Sequence, residues 1–205
     1  VLFGISVMTI YHLVLFFKVK KIRDLYLVLL NIIILMFFLV QTGQMESTIA
    51  NHYFFHERLI LFFGILTLLS FTLFSSEILN FHIHHPRASK FTQYLFPFLI
   101  TLNVPIAMGY FIPLLFGITA LLALIIYNYV IYAGYKAMKR GGSSNRLFLI
   151  GNLIFYIGVV VSILVKNNAI PESLVVLSLI DLIQLTTLIQ LFLFSLSLNR
   201  ITKNG

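Results

Sequence analysis

Cysteine and tryptophan are both absent from this 205-residue chain, and only six residues are acidic. Without cysteine the chain has no disulfide framework, no thiolate zinc site and no cysteine nucleophile. Without tryptophan, an aromatic belt at a membrane surface must be built from tyrosine and phenylalanine. Charged residues make up only 10% of the chain, against about 25% in an ordinary soluble domain.

Apolar residues take the place of the missing charges. They make up 60% of the chain, and the mean hydropathy is +1.02. A chain this apolar cannot cover its surface with polar groups in water. That excludes a soluble enzyme and, despite the net charge of +8, a nucleic-acid-binding domain. The sequence therefore predicts an all-α, polytopic membrane protein embedded in a lipid bilayer.

Seven apolar segments are long enough to cross a bilayer as helices, which takes roughly 20 residues each. A turn with Gly109 and Pro113 divides what would otherwise be one very long helix into the fourth and fifth spans. Because the chain begins at Val1 inside an apolar run, we expect a single-domain fragment, 1–205, of a longer protein. The predicted spans are 1–17, 25–42, 59–79, 91–109, 113–135, 147–165 and 174–198.

The basic residues predict the orientation of this seven-helix bundle. Lys and Arg in short loops resist translocation and stay in the cytoplasm. If the N-terminus lies outside, twelve of the fourteen basic residues fall in cytoplasmic segments, and Arg58 and Lys166 are the two exceptions. We therefore expect the N-terminus outside, the C-terminus in the cytoplasm, and a multi-pass protein of the inner (plasma) membrane.

The last span carries the main candidate for a functional site. Asp181 is ionisable and lies within the apolar segment, with Gln184 one turn later and Gln190 beyond it. An ionisable residue in a span usually faces the bundle interior, in ligand contact, proton coupling or a conformational switch. The alternative is a structural carboxylate that is satisfied by a polar partner. The candidate partners in other spans are Asn31, Asn103, Asn128 and Asn152.

Five of the six histidines form two groups that resemble the histidine boxes of membrane oxygenases. The first group is His52 and His56, and the second is His82, His84 and His85. The topology places the two groups on opposite sides of the bilayer, about 30 Å apart, so they cannot share one metal centre. His52 and His56 remain weak candidates for a zinc site with Glu46 or Glu57. We expect no cofactor.

Two predictions concern packing and pairing. Gly151 and Gly158 lie one heptad apart in the sixth span, which favours close approach of a neighbouring helix. Glu77 lies near the inner end of the third span, and the simplest partners for it are Arg87 and Lys90.

Short motifs near the ends of the spans resemble those of a known family. They are Arg140-Gly141-Gly142, the turn Ala169-Ile170-Pro171, the run from Leu193 to Ile201, and Tyr11 and Arg23-Asp24 near the start. These motifs resemble the membrane domain of bacterial seven-transmembrane receptors with diverse intracellular signalling modules. The sequence departs from the family pattern at three positions. Thr186 and Gln190 stand where Gly and Glu are frequent, and His12 follows Tyr11 where Asn is usual.

The resemblance implies a receptor rather than an enzyme. An external ligand-binding module would precede the helices, and a cytoplasmic kinase- or cyclase-type output domain would follow them in the parent chain. The signal would leave through the end of the last helix at Asn199 and Arg200. The sequence leaves open whether the protein forms a homodimer. The alternatives are a small-solute or ion transporter or channel and, after that, a histidine-box membrane enzyme.

Overall fold

The computed structural model describes residues 1–43, 53–84, 86–109, 112–140, 143–166 and 179–203. These ranges contain eight helices, of which all but the four-residue α4 are long and apolar enough to cross a membrane. The prediction of an all-α protein with seven spans is thus confirmed. The helices are α1 (Leu2–Val19), α2 (Ile22–Gln41), α3 (Tyr53–Ile78), α4 (Phe81–His84), α5 (Pro86–Met108), α6 (Ile112–Lys139), α7 (Ser143–Lys166) and α8 (Leu179–Lys203).

Several helices extend beyond the apolar segments that predict them. The start of α2 at Ile22 precedes the predicted span by one turn, and α6 continues to Lys139, a turn past its predicted end. Helical hydrogen bonding can continue outside the hydrocarbon core, whereas the hydropathy signal stops at its edge. Residues 174–178 of the predicted last span lie outside the described part of the chain.

The predicted turn after the fourth span is present at Gly109. This residue has a φ of +77°, a conformation that glycine adopts without steric cost. A β-carbon at Gly109 would overlap the guanidinium of Arg58, and Nη1 of that guanidinium donates to the Ala107 carbonyl at 3.2 Å. Arg58 thus satisfies a carbonyl that the end of α5 would otherwise leave open.

The last helix, α8, packs against several others. Its most extensive contact is with α7, and it also touches α1 and α2, while α3 packs against α2, α5 and α6. A β-carbon at Gly158 would lie 2.6 Å from Thr186, and one at Gly151 would lie 3.3 Å from the Gln190 carbonyl oxygen. The predicted close approach at these two glycines is therefore confirmed, and the neighbour is α8.

An aromatic core fills the centre of one half of the bundle. The ring of Phe194 on α8 is fully buried and lies 4.9 Å from that of Phe148 and 5.2 Å from that of Phe74, centroid to centroid. These rings belong to α8, α7 and α3, so the core joins the last helix to two others.

Glu77 has a partner that differs from the prediction. Its carboxylate accepts a hydrogen bond from Nε of Arg23 at 3.3 Å, and Nη2 of the same arginine donates to the Asn80 side chain at 3.1 Å. The predicted partners, Arg87 and Lys90, follow Glu77 in the chain. Arg23 is 54 residues earlier, and the packing of α2 against α3 brings it to Glu77.

Candidate functional site

Three buried polar side chains meet where the first, second and last helices touch. His12 lies within α1, Asp24 in the first turn of α2, and Ser195 within α8. Nδ1 of His12 is 3.2 Å from Oδ1 of Asp24, and Nε2 is 2.7 Å from Oγ of Ser195. The three side chains belong to residues that are only 0%, 3% and 7% exposed. One imidazole therefore connects three helices.

The hydrogen-bonding roles in this cluster follow from what each group can donate. An ionised carboxylate only accepts hydrogen bonds, so the bond between His12 and Asp24 requires the proton to be on Nδ1 of His12. In a neutral imidazole, Nε2 is then the acceptor for the Ser195 hydroxyl. Asp24 also lies at the N-terminal end of α2, where the helix dipole favours a negative charge.

Two further pairs of polar side chains connect α8 to α7. Nε2 of Gln190 donates to Oδ1 of Asn152 at 3.1 Å, and both residues are buried. The hydroxyl oxygens of Ser144 and Ser197 are 2.8 Å apart. From Gln190 to Ser197 is about 10 Å along α8. We call these residues the α8 polar network: His12, Asp24, Ser144, Asn152, Gln190, Ser195 and Ser197.

The match to a protein family extends over nearly the whole bundle. A family model described as 7TM diverse intracellular signalling matches residues 1–200. The chain belongs to this family. No curated protein and no solved structure matches it significantly. With its seven apolar helices, the protein is a multi-pass membrane domain of a sensory family that is associated with intracellular signalling modules.

In this 7TM signalling domain, the residues predicted for the site in the last span fall into different environments. Asp181 lies in the first turn of α8 and is exposed on the surface of the bundle, whereas Gln184 is buried. Gln190 is buried within the α8 polar network, bonded to Asn152. The structure thus places Gln190 in the interior and Asp181 on the surface of the bundle.

Four asparagines were candidate partners for Asp181, and of these Asn128 donates to the Leu124 carbonyl of its own helix while Asn152 accepts from Gln190. Asn31 is fully buried on α2, and neither its amide nitrogen nor its oxygen has a hydrogen-bond partner in the described part of the chain. Asn103 donates to the Leu99 carbonyl of its own helix at 3.1 Å. Asn31 therefore does not pair with Asp181, and Asn103 uses its amide nitrogen locally.

The predicted output end of the last helix is linked to the first helix. Nδ2 of Asn199 donates to the Tyr11 hydroxyl at 3.3 Å, and the neighbouring Arg200 is exposed. This bond lies about one turn beyond Ser195, on the same side of α8 as the His12 contact. The first helix therefore holds α8 at two successive levels.

One of the two weak metal candidates lies within the described residues. His52 lies outside the described residues, and His56 lies on α3. In the part of the chain that the structure describes, no three His, Asp or Glu side chains are placed to hold a metal ion. His82 and His84 are exposed on α4.

Sequence reasoning missed His12, Asp24 and Ser195 as a cluster. His12 and Ser195 are 183 positions apart, so no local spacing could join them. One signal was available, because His12 is the one basic side chain in the interior of the first predicted span. A titratable group in a span is a candidate functional site by default.

Proposed function

We propose that this domain is a receptor relay in which α8 moves relative to α1 and α7 and passes a signal from outside the cell to a cytoplasmic output module of the parent chain. The observation that carries the proposal is the α8 polar network. It ties the last helix to α1 and α7 by side-chain hydrogen bonds, and through His12 of α1 also to Asp24 of α2.

The strength of these bonds suits a switch. Interhelical hydrogen bonds in membranes average about 0.6 kcal/mol and reach about 1.7 kcal/mol. Allosteric coupling between two sites typically amounts to about 1–3 kcal/mol. Breaking one or two bonds of the network is therefore comparable to the free energy that ligand binding can supply. A ligand shifts the equilibrium only if it binds one conformation more tightly.

The relay is tested with Ser195→Ala, which removes the hydroxyl that bonds His12. We expect the basal output of the full-length parent protein to change about threefold to tenfold, because the position of α8 is less restrained. The measurement is the enzymatic activity of the output domain in native membranes. Ser162→Ala is the matched control, since Ser162 is equally buried and donates to the Gly158 carbonyl of its own helix.

A reversible cross-link separates motion from misfolding. The chain has no cysteine, so Gly4→Cys with Leu188→Cys joins α1 to α8, where a β-carbon on Gly4 would lie 3.1 Å from Cδ1 of Leu188. In the Ser195→Ala protein that carries this pair, oxidising the two cysteines to a disulfide should restore the original output. Reducing the disulfide should remove the restoration. The control pair, Gly134→Cys with Leu149→Cys, joins α6 to α7 and should not restore it. An unchanged output in Ser195→Ala, or equal rescue by both pairs, would contradict the relay.

The polar network has the connectivity of a hydrolase triad, Ser195–His12–Asp24, and we propose that it is not catalytic. Ser195 is 7% exposed and held between three helices, which leaves little access for a substrate. A fluorophosphonate probe should therefore leave the purified protein unlabelled. Labelling that disappears in Ser195→Ala would favour an intramembrane hydrolase instead.

We further propose that the N-terminus lies outside the inner membrane and the C-terminus in the cytoplasm, with an external ligand-binding module and a kinase- or cyclase-type module on the two sides. The basic residues at one end of the bundle support this orientation. Thr42→Cys should react with an impermeant maleimide in intact spheroplasts, and Lys139→Cys only after permeabilisation. The opposite pattern would invert the topology and the direction of the relay.

A further inference from the structure

An elongated cavity of about 400 Å³ lies between α3, α6 and α7, and Phe37 of α2 also lines it. On α6 its lining runs from Phe116 to Tyr127, which is about 16 Å along the helix axis. Most of the lining residues belong to the N-terminal halves of α3 and α6 and the C-terminal half of α7, and Thr67, Leu68 and Tyr127 lie just past the middle of their helices. The cavity is therefore at the opposite end of the bundle from Asp24 and Glu77.

The walls of this cavity are apolar and it is open to the surface of the domain. Small residues on two helices, Gly64 and Ala123 among them, leave the space unfilled. Three of the lining side chains, Phe116, Leu124 and Ile163, are between 39% and 48% exposed. In a membrane that surface faces lipid, so the cavity is accessible from the hydrocarbon of the bilayer.

One polar atom in the cavity wall is exceptional. The hydroxyl of Thr119 is buried, and among the residues that the structure describes it has no hydrogen-bond partner. The other threonines with described bonds return the hydroxyl to the carbonyl four residues earlier, which is the usual way to satisfy it in an apolar helix. Those threonines are Thr9, Thr42, Thr67, Thr72, Thr101, Thr186 and Thr187. A buried polar group without a partner costs free energy, which a ligand in the cavity would recover.

We propose that this cavity binds a single-chain membrane amphiphile, which enters from the bilayer, lays its alkyl chain along the apolar walls and accepts a hydrogen bond from the Thr119 hydroxyl through its polar group. The volume is within the range of about 300–1,000 Å³ that small-molecule sites occupy, and an apolar cavity of about 150 Å³ already binds benzene. The elongated shape parallel to the helices fits an extended chain better than a compact molecule.

One residue at the inner end of the cavity, Tyr127, links the cavity to the last helix. Tyr127 lines the cavity, and its ring stacks on Phe71 at 4.4 Å and on Phe155 at 5.1 Å. Its hydroxyl faces the side chain of Gln190 on α8. Binding in the cavity does not depend on the relay proposed above, but regulation of the output through Tyr127 and Gln190 does rest on it.

Binding is tested with a brominated stearic acid as probe and the purified chain in phosphatidylcholine nanodiscs. The chain has no tryptophan, so Phe116→Trp places a single reporter on the cavity wall, and bromine quenches its fluorescence on contact. We expect quenching that saturates. Ala123→Phe in the reporter protein fills the cavity and should abolish the saturable part, and the smaller change Ala120→Leu should weaken it.

The matched control is Ala107→Phe, which adds the same ring at an exposed position of α5 outside the cavity and should leave saturable quenching intact. Thermal unfolding of each variant shows that it is folded. The opposite result is quenching that rises in proportion to the probe concentration and equally in the Ala123→Phe and Ala107→Phe proteins. It would mean that the probe reaches the reporter only from bulk lipid, and it would overturn the site.

Thr119→Val tests the hydrogen bond. It keeps the shape of the side chain and should weaken probe binding about threefold to tenfold. An unchanged affinity would remove Thr119 from the site. Output activity is measured on the same variants in the parent protein. If the cavity binds the probe saturably but Ala123→Phe leaves the output of the parent protein unaltered, the binding site stands and its coupling to α8 is rejected.

Discussion

The two halves of this bundle are held together in different ways. The network half contains Asp24, Glu77 and Ser195, and its helices are joined by interhelical hydrogen bonds and an ion pair. The cavity half contains Gly64, Thr119 and the space between α3, α6 and α7. Lipid is as apolar as a leucine side chain, so helix association in a membrane depends on packing and polar contacts. Where both are reduced, the helices leave room for a ligand.

The largest expected effect is in the network half. His12→Ala leaves the buried Asp24 without its partner, and such unpaired buried charges cost about 3–5 kcal/mol. The free energy of unfolding, measured by denaturant titration in mixed micelles, should fall by this amount. Adding Asp24→Asn should recover part of the loss, because the uncompensated charge is gone. A loss below about 1 kcal/mol, with no recovery, would show that the pair is solvated and that the two halves are alike.

Close packing of α7 on α8 should give the next effect. Gly158→Ala places a β-carbon 2.6 Å from Thr186, and overpacking of this kind typically costs about 1–3 kcal/mol. Gly117→Ala is the control, because a β-carbon there would have nothing within 4 Å and alanine favours the helix. The free energy of unfolding is measured for both variants and compared with that of the unmodified protein. Equal effects of the two substitutions would mean that α7 and α8 are not in close contact.

A smaller effect is expected from a single neutral bond of the network. Gln190→Leu removes the bond to Asn152 and should lower the unfolding free energy by about 0.6–1.7 kcal/mol. The double-mutant cycle with Asn152→Leu isolates the pair, and the two losses should not add. Additive losses would mean that the bond does not hold α8 to α7.

The smallest effect is expected in the cavity half. Thr119→Val replaces a hydroxyl without a partner by a methyl group, so the unfolding free energy of the ligand-free protein should change by less than about 0.5 kcal/mol or rise. Ser195→Ala, which removes a bonded hydroxyl in the network half, is the comparison. If Thr119→Val were the more destabilising of the two, the contrast between the halves would fail.

The spans were predictable because the bilayer imposes one requirement on every crossing segment. A helix must be apolar over a fixed length, and that property is local in the sequence. The turn at Gly109 and the close approach at Gly158 were predictable for a similar reason, since both depend on the absence of a side chain at one position. The ends of the helices were predicted less well, because helices continue past the apolar core.

The candidate site was predictable only in part. Gln190 was identified from its place in an apolar span, and it is a member of the α8 polar network. Asp181 was identified by the same argument but is exposed in the first turn of α8. His12 and Ser195 could not be paired, because their contact depends on which face of α1 meets α8. Nothing in either segment taken alone defines that face.

The sequence by itself determined that the chain is a seven-helix membrane protein, because the hydrophobic effect acts on each segment separately. Only the tertiary structure decided which polar residues meet. Glu77 of α3 pairs with Arg23 of α2, and His12 joins Asp24 to Ser195. Hydrogen bonds and ion pairs act over about 3 Å, so they form only after packing has fixed the rotation of each helix about its axis.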